Sequence, residues 1–508
     1  MKIIPLPREI RPEPGRFVFT KDLSISYSAE FESLAADFSD FYQRKTGWST
    51  QKGLFSAISF LLDFNLHSEQ YKLKVTKEAV VLEATDRAGM FYAWQTLKQM
   101  ILATPEGLTV ECGEINDQPR FAYRGFMLDV ARHFFPKQDL LRLIEIMSFH
   151  KLNRLHLHLT DDQGWRFESK LFPRLQEIGS KRDGTINSQK ISDGIPVEGY
   201  YTQPDLKEIA AFAASKFVEI IPEIDLPGHS MALMAAYPEF SHHQEMAVRK
   251  SFGISPKILC LGSAGLEEFL TAILSEFISV FHPKIIHLGG DEVPLLEPRS
   301  CFKCKKAIQN RHLKNYGKLQ TDLINRLSGN LRDQGVRTMV WNDALDSDLD
   351  PGIIVQHWKP FSNRQTVSQI NKGRKAVISN FFSLYLDYPY AMTPLKKTYD
   401  FRPELKGIRH PENILGIESP LWTEWISTRE KLEFQMFPRM AAVAELAWSD
   451  PVTRDYQDFL DRLPVLLEYY RSLGLNFSAV PKKTLRLCKR IFGTIRWLKD
   501  KNCEFLRN

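Results

Sequence analysis

Eight short apolar runs recur along the middle of this chain, each closing on polar or aromatic residues, and this restricts the fold more than any other feature. They are Tyr123 to Leu128, Leu155 to Thr160, Val218 to Ile224, Ile285 to Leu288, Thr338 to Trp341, Ile353 to Gln356, Ala376 to Ser379 and Ile414 to Ile417. Unbroken rather than alternating apolarity indicates strands covered on both faces, the condition of a parallel sheet. Longer, often amphipathic stretches separate the runs, so strand and helix alternate over roughly 330 residues. Eight such units are what a closed barrel requires, and the predicted fold is an α/β (β/α)8 TIM barrel.

In that barrel the strand ends converge on one face, where active sites sit. Here they carry Asp129 and Arg132, Asp161 and Asp162, Asp225 with His229, Asp291 and Glu292, Trp341-Asn342-Asp343, His357 and Trp358, Tyr385 with Asp387, and Glu418 with Trp422 and Glu424. The most informative is His287-Leu288-Gly289-Gly290-Asp291-Glu292. Adjacent carboxylates repel, so one tends to hold a proton while its neighbour stays ionised, which suits a division between general acid and charge stabiliser. Successive strand residues point opposite ways, and the two glycines supply the bend that lets both acids share a pocket.

The remaining sequence frames this barrel. With 508 residues, 43% hydrophobic and 12% aromatic, the chain can bury a large core and divide into two or three domains. Residues 1–117 mix short apolar runs with helix-like segments such as Met90 to Leu102 and predict a small α+β domain, poor in clustered catalytic residue types. The turn-rich Asn116-Asp117-Gln118-Pro119-Arg120 ends it, the barrel occupies 118–474, and 475–508 form a basic C-terminal extension. Residues 481–508 carry nine Lys or Arg against Asp500 and Glu504, so the formal charge of +6 becomes −1 for residues 1–480. No nucleic-acid face is expected on such a body. In the extension, Leu485, Leu487, Ile491, Ile495, Trp497 and Leu498 form an apolar side, read as packing on the body in preference to attachment to an anionic membrane.

Met1 to Arg8 has prolines and charge where a signal peptide needs an apolar core, so a cytoplasmic location is the expectation, short of a removed leader. No stretch reaches transmembrane length. Of six cysteines only Cys301 and Cys304 have a suggestive spacing. A zinc site needs four ligands and no second Cys-x-x-Cys exists, so reduced thiols or a local disulfide are expected and no metal is assigned.

The predicted face combines carboxylates, Arg132, His229 and Tyr385 with Trp341, Trp358 and Trp422. Indole faces suit the C–H faces of a pyranose, and carboxylates and Arg suit its hydroxyls, so carbohydrate is the natural ligand. A competing reading makes His156 and His158, with Asp161 and either His229 or His357, the ligands of a metal-dependent barrel hydrolase. A catalytically inactive sugar-binding protein is a third reading, against which both acids, Asp291 and Glu292, are present.

Specific motifs settle on one family. Arg124-Gly125-Phe126-Met127-Leu128-Asp129-Val130-Ala131-Arg132-His133, the run His156 to Trp165, Pro222-Glu223-Ile224-Asp225-Leu226-Pro227-Gly228-His229, His287 to Glu292, Trp341-Asn342-Asp343, Tyr385-Leu386-Asp387 and Leu421-Trp422-Thr423-Glu424 together resemble glycoside hydrolase family 20, the β-N-acetylhexosaminidases. The resemblance covers about 118 to 450, and residues 1–117 resemble the small domain that often precedes such a barrel.

The resemblance implies an exo-acting, retaining glycosidase that releases terminal non-reducing β-linked N-acetylglucosamine or N-acetylgalactosamine by substrate-assisted catalysis, without a cofactor. By motif, Glu292 would be the general acid and base, with a raised pKa, while Asp291 stays charged and Tyr385 holds the acetamido oxygen. Trp341, Trp358 and Trp422 would wall the pocket, and Arg132, Asp387 and Glu424 would bind the outer hydroxyls. Asp161 and His229 would stand behind Glu292 and tune its proton affinity. The partner is then a carbohydrate ending in an N-acetylhexosamine; the aglycone and the oligomeric state are left open.

Overall fold

The computed structural model describes residues 1–53, 56–186 and 191–479, which divide into two compact units. The basic stretch 481–508 lies outside the described residues, and no described helix is long and apolar enough to cross a membrane.

The unit spanning 125–145 and 153–439 holds the barrel. Its strands are β1 (Tyr123–Asp129), β2 (Arg154–His158), β3 (Glu219–Glu223), β4 (Ile285–His287), β5 (Arg337–Trp341), β6 (Ile354–His357), β7 (Ala376–Ile378) and β8 (Ile414–Leu421). They close in chain order, with β8 beside β1. Each apolar run predicted from the sequence lands on one of them, so the expected barrel is borne out. The chemistry behind this is uniform: β1, β4, β6 and β7 are buried at every position, as helix-covered parallel strands must be.

Register then levels the strand ends. Across parallel pairs His158 faces both Asp129 and Glu223, Glu223 faces His287, and His287 faces Met339. The interior at this level is polar: His156, His158, Glu223, His287, Gln356 and Glu418 are all 0% exposed. A barrel can carry such a layer only if these groups satisfy one another.

The other unit comprises 1–124, 146–152 and 440–475. Its mixed, eight-stranded sheet packs helices Glu32–Thr46 and Arg87–Met100, giving the predicted small α+β arrangement. Asp86 caps the second helix by accepting from Gly89 N. At its centre Lys151 and Asp117, both fully buried, pair at 3.1 Å. Tyr71 and Trp448 also donate to Asp117, and the Lys151 ammonium lies 4.3 Å from the centre of the Trp448 ring. Burial pushes the Lys151 pKa down, and Asp117 is what opposes that.

Breaking a buried pair from one side leaves an uncompensated charge, which costs about 3 to 5 kcal/mol. Asp117→Ala should therefore lose about that much stability in urea unfolding, and Asp117→Ala with Lys151→Met should recover a large part of it. A single-variant loss below about 1 kcal/mol would show that water reaches this pair.

Candidate active site

The turn after β4 determines how two neighbouring acids come to face one pocket. Gly289 and Gly290 adopt φ of 64° and 96°, which L side chains rarely adopt, and Glu292 follows with φ 50°. The space is as restrictive as the backbone. A Cβ on Gly289 would stand 1.8 Å from Asp225 Oδ1, the atom that accepts a 3.0 Å hydrogen bond from Gly290 N. His287 Nδ1 accepts from Gly289 N at 3.0 Å, so the turn is held from both sides. The outcome is that Asp291 and Glu292 both reach the same imidazole: His229 Nε2 lies 3.9 Å from Asp291 Oδ2 and 3.7 Å from Glu292 Oε2. His229 itself has φ 49°, a second left-handed residue at this spot.

Behind His229 a chain of charges runs to the rim. His229 Nδ1 is 3.3 Å from Asp161 Oδ1; Asp161 Oδ2 takes His158 Nε2 at 2.8 Å and Arg132 Nη2 at 2.7 Å. Burial raises the Asp161 carboxyl, but Arg132 and His229 outweigh it and hold it far below the carboxylate range. Burial likewise lowers His229, but Asp161 above all holds it well above an ordinary imidazole, so it is a cation. Arg132 also donates to Asp129 Oδ2 at 3.3 Å and Gln163 Oε1 at 3.2 Å, and stacks on Trp422 at 4.9 Å. Its Nε and Nη1 are thereby hydrogen-bonded and its Nη2 is paired with Asp161. Glu424, half-buried, adds its negative charge to the field at Arg132.

The proton order of the acid pair in the free protein is the reverse of the sequence expectation. Burial drives Asp291 up to about 6; His229 pulls it down, while the charges of Glu292, Asp343 and Glu223 push it up. Burial also raises Glu292, but His229, followed by Lys359 and Arg132, leaves it below an ordinary glutamate. Asp291 Oδ1 is buried and accepts no hydrogen bond from the protein. A buried acceptor left this way is costly, and an N–H from a ligand is what would satisfy it.

The pocket's other wall is aromatic. Trp341, Trp358 and Tyr385 form one buried cluster with Met127, and Phe381, Tyr388 and Trp422 pack against it. Trp358 and Tyr385 stack at 6.1 Å with 23° between their planes, and Trp422 lies 5.9 Å from Trp341. The Trp341 indole N–H is taken by Glu223 Oε1 at 2.9 Å and that of Trp358 by Asp343 Oδ2 at 2.8 Å, which fixes both rings. Burial, with Tyr388, Asp291 and Asp387 nearby, holds the Tyr385 hydroxyl protonated well above its usual range. Nine of the eleven residues singled out from the sequence thus fall into two groups, the charged chain of Arg132, Asp161, His229, Asp291 and Glu292 and the aromatic wall of Trp341, Trp358, Tyr385 and Trp422, while Glu424 and Asp387 act through their charges on Arg132 and Tyr385.

Sequence reasoning missed the groups that hold these in place. Glu223 is wholly buried against His158 Nδ1 and lies 3.1 Å from His156 Nε2; it anchors Trp341. Lys359 pairs with Asp343, and Asp343 accepts from Glu292 N at 3.5 Å. Glu223 was visible only as one residue of a motif; its alternation with Asp225 after an apolar run was the available signal. The histidines offered to a metal have carboxylate neighbours: Glu418 lies 2.9 Å from His156 Nδ1, and Asp161 lies 2.8 Å from His158 Nε2. Burial lowers His156 and His158, but Glu418 and Glu223, and Glu223 and Asp161, hold them at about 10 and about 9. His357 lies outside the group, bonded to Thr366 and Asn363.

Residues 121–451 match the family model for the glycosyl hydrolase family 20 catalytic domain, and residues 1–118 that for the family's domain 2. A β-hexosaminidase of Porphyromonas gingivalis is 32% identical over 94% of this chain, which spans 64% of that protein's length. A β-hexosaminidase of Akkermansia muciniphila is 33% identical over 78% of this chain and 83% of its own. Among solved structures, a family 20 exo-β-N-acetylglucosaminidase of Vibrio harveyi in complex with N-acetylglucosamine superimposes with a TM-score of 0.85 at 28% identity, covering 95% of this chain and 79% of that one.

The turn supplies a direct test. Gly335, with φ 77° and nothing near its would-be Cβ, carries backbone strain alone, whereas Gly289 adds the contact with Asp225. Gly335→Ala should cost about 1 kcal/mol and Gly289→Ala clearly more, read as the fall in melting temperature. Equal falls would mean that Asp225 does not constrain the turn.

Proposed function

This chain belongs to glycosyl hydrolase family 20, and on that footing we propose that it is an exo-acting, retaining β-N-acetylhexosaminidase that removes terminal β-linked N-acetylglucosamine or N-acetylgalactosamine. One observation carries the reading: Asp291 Oδ1 is buried and unbonded, and the Asp291 carboxyl feels the charge of Glu292 and acts on Tyr385, which belongs to the buried aromatic cluster of Trp341 and Trp358. Such surroundings suit a small amide. The acetamido N–H donates to Asp291, the Tyr385 hydroxyl donates to the acetamido oxygen, and the indoles cover its methyl group.

Held so, the acetamido oxygen attacks the anomeric carbon as the glycosidic C–O bond breaks. Glu292 gives its proton to the leaving oxygen, and the sugar becomes an oxazolinium whose charge Asp291 offsets. Glu292, now a carboxylate, takes a proton from water as that water opens the ring from the same face, so configuration is retained. In the free protein Glu292 is the lower of the two acids. Substrate reverses this, because the amide N–H stabilises ionised Asp291 while the sugar strips water from Glu292. Arg132, with Asp387 and Glu424, takes the outer hydroxyls. The last sugar alone fits behind that clamp.

A panel of aryl β-glycosides tests the reading. N-acetylglucosaminide or N-acetylgalactosaminide should be cleaved at least about 10³-fold faster than the plain glucoside, since only they bring the nucleophile. Comparable rates would sink substrate assistance. The pH profile tests the electrostatics. His229⁺ holds both carboxyls down, so His229→Gln raises both, and the basic limb of kcat/KM, which marks loss of the pair's one proton and lies near pH 6 in the parent, should move to higher pH. An unmoved limb would show that His229 is not the charge that governs the pair.

A further inference from the structure

Cys301 and Cys304 have half the ligand set of a zinc site, and the fold supplies the other half from residues far away in sequence. Cys260 Sγ lies 3.6 Å from Cys301 Sγ and 3.7 Å from Cys304 Sγ. His242 completes the group: one ring nitrogen and the three sulfurs all lie within 4.8 Å of one another. We propose that His242, Cys260, Cys301 and Cys304 form a structural zinc site that ties the segment between β3 and β4 to the segment that follows β4.

Distance discriminates between the alternatives. Zinc holds thiolates at about 2.3 Å, and a tetrahedron of that radius separates them by about 3.8 Å. A disulfide needs about 2.05 Å. Three sulfurs around one point also cannot all pair with one another. The donor set, three soft thiolates and an imidazole, is one that zinc prefers and that magnesium or calcium does not. It fills all four positions, so the ion is structural and takes no part in the hydrolysis.

The surroundings are built for it. Cys260 and Cys304 are 0% exposed, and both ring nitrogens of His242 are buried without a hydrogen-bond partner. A buried imidazole left so is costly unless an ion takes its lone pair. Gly262 lets the Cys260 segment lie on the backbone of Lys303 and Cys304: a Cβ there would stand 2.2 Å from the Lys303 carbonyl carbon. Cys301 is the N-cap residue of helix Phe302–Asn310 and its side chain caps nothing. Its sulfur and that of Cys304 therefore start where the helix dipole favours a thiolate.

The site bears on the acid pair through the chain. The segment it fastens on one side begins nine residues after Glu292, and on the other side it holds the connection that leads from His229. Ligand loss should thus loosen the fold first, since a metal's binding free energy adds to folding free energy.

The full-length protein, purified under reducing conditions without added metal, should contain about one zinc per chain by inductively coupled plasma mass spectrometry. Cobalt(II) exchanged into it should show the intense absorption of tetrahedral cobalt thiolate. Cys260→Ser and Cys304→Ser should each lose the ion and melt at lower temperature, whereas His242→Cys should retain it. If those variants do not fold, the metal content and cobalt spectrum of the parent protein decide the matter alone. A parent protein that contains no zinc and takes up none when it is offered, or a disulfide among these cysteines found by mass spectrometry, would overturn the proposal.

Discussion

Everything at the mouth of this barrel depends on burying carboxylates next to cations that cannot leave. Glu223, Glu418 and Asp161 lie within a shell where an unpaired charge would cost several kcal/mol. His156, His158 and Arg132 offset them at hydrogen-bond distance. The parallel register is what makes this possible, because it brings His158 level with Glu223 and Asp129 without any side chain having to stretch. The pairs fix more than stability. Glu223 holds the Trp341 ring, Asp161 holds His229 and Arg132, and Asp129 receives both Arg132 and the backbone of Thr423. A ligand therefore meets groups already oriented, and little reorganisation is left for binding or chemistry.

That dependence explains which parts of the molecule could be read from its sequence. The strands were legible because burial on both faces leaves unbroken apolar runs such as Tyr123 to Leu128. The pocket was legible because strand ends must converge in a barrel, which makes neighbours of Arg132, Tyr385 and Glu424 over nearly 300 residues of chain. The bend at Gly289 and Gly290 was legible from glycine's freedom at positive φ. The left-handed backbone of His229 was not, since histidine gives no such signal. Nor was the grip of Glu223, a lone acid whose three-histidine surroundings arise from β2 and β4.

The order of protons was illegible for a different reason. Adjacency tells only that two acids repel, not which of them yields. That is decided by Glu223 and His229 at the end of β3, Asp343 after β5 and Lys359 after β6, and their balance favours a proton on Asp291 in the free protein. The cysteines show the same limit. Spacing reveals a ligand pair when both members lie on one turn, as Cys301 and Cys304 do, and says nothing when the partners are single residues such as His242 and Cys260.

An acid pair that is set for one proton order and, in the proposed mechanism, used in the other has a kinetic consequence. If the protein alone were to hold Glu292 protonated, His229 would have to give up its charge, and the network around Asp161 would lose one of its cations. Keeping His229 charged preserves that network and leaves Asp291 able to ionise when an amide N–H arrives. In the proposed mechanism the energy for raising Glu292 comes from the sugar's own burial against Trp358 and Trp422, surface that a ligand without the acetamido group would cover poorly. On that proposal selectivity and acid strength are one effect: the group that supplies the nucleophile also sets the proton that the leaving oxygen receives.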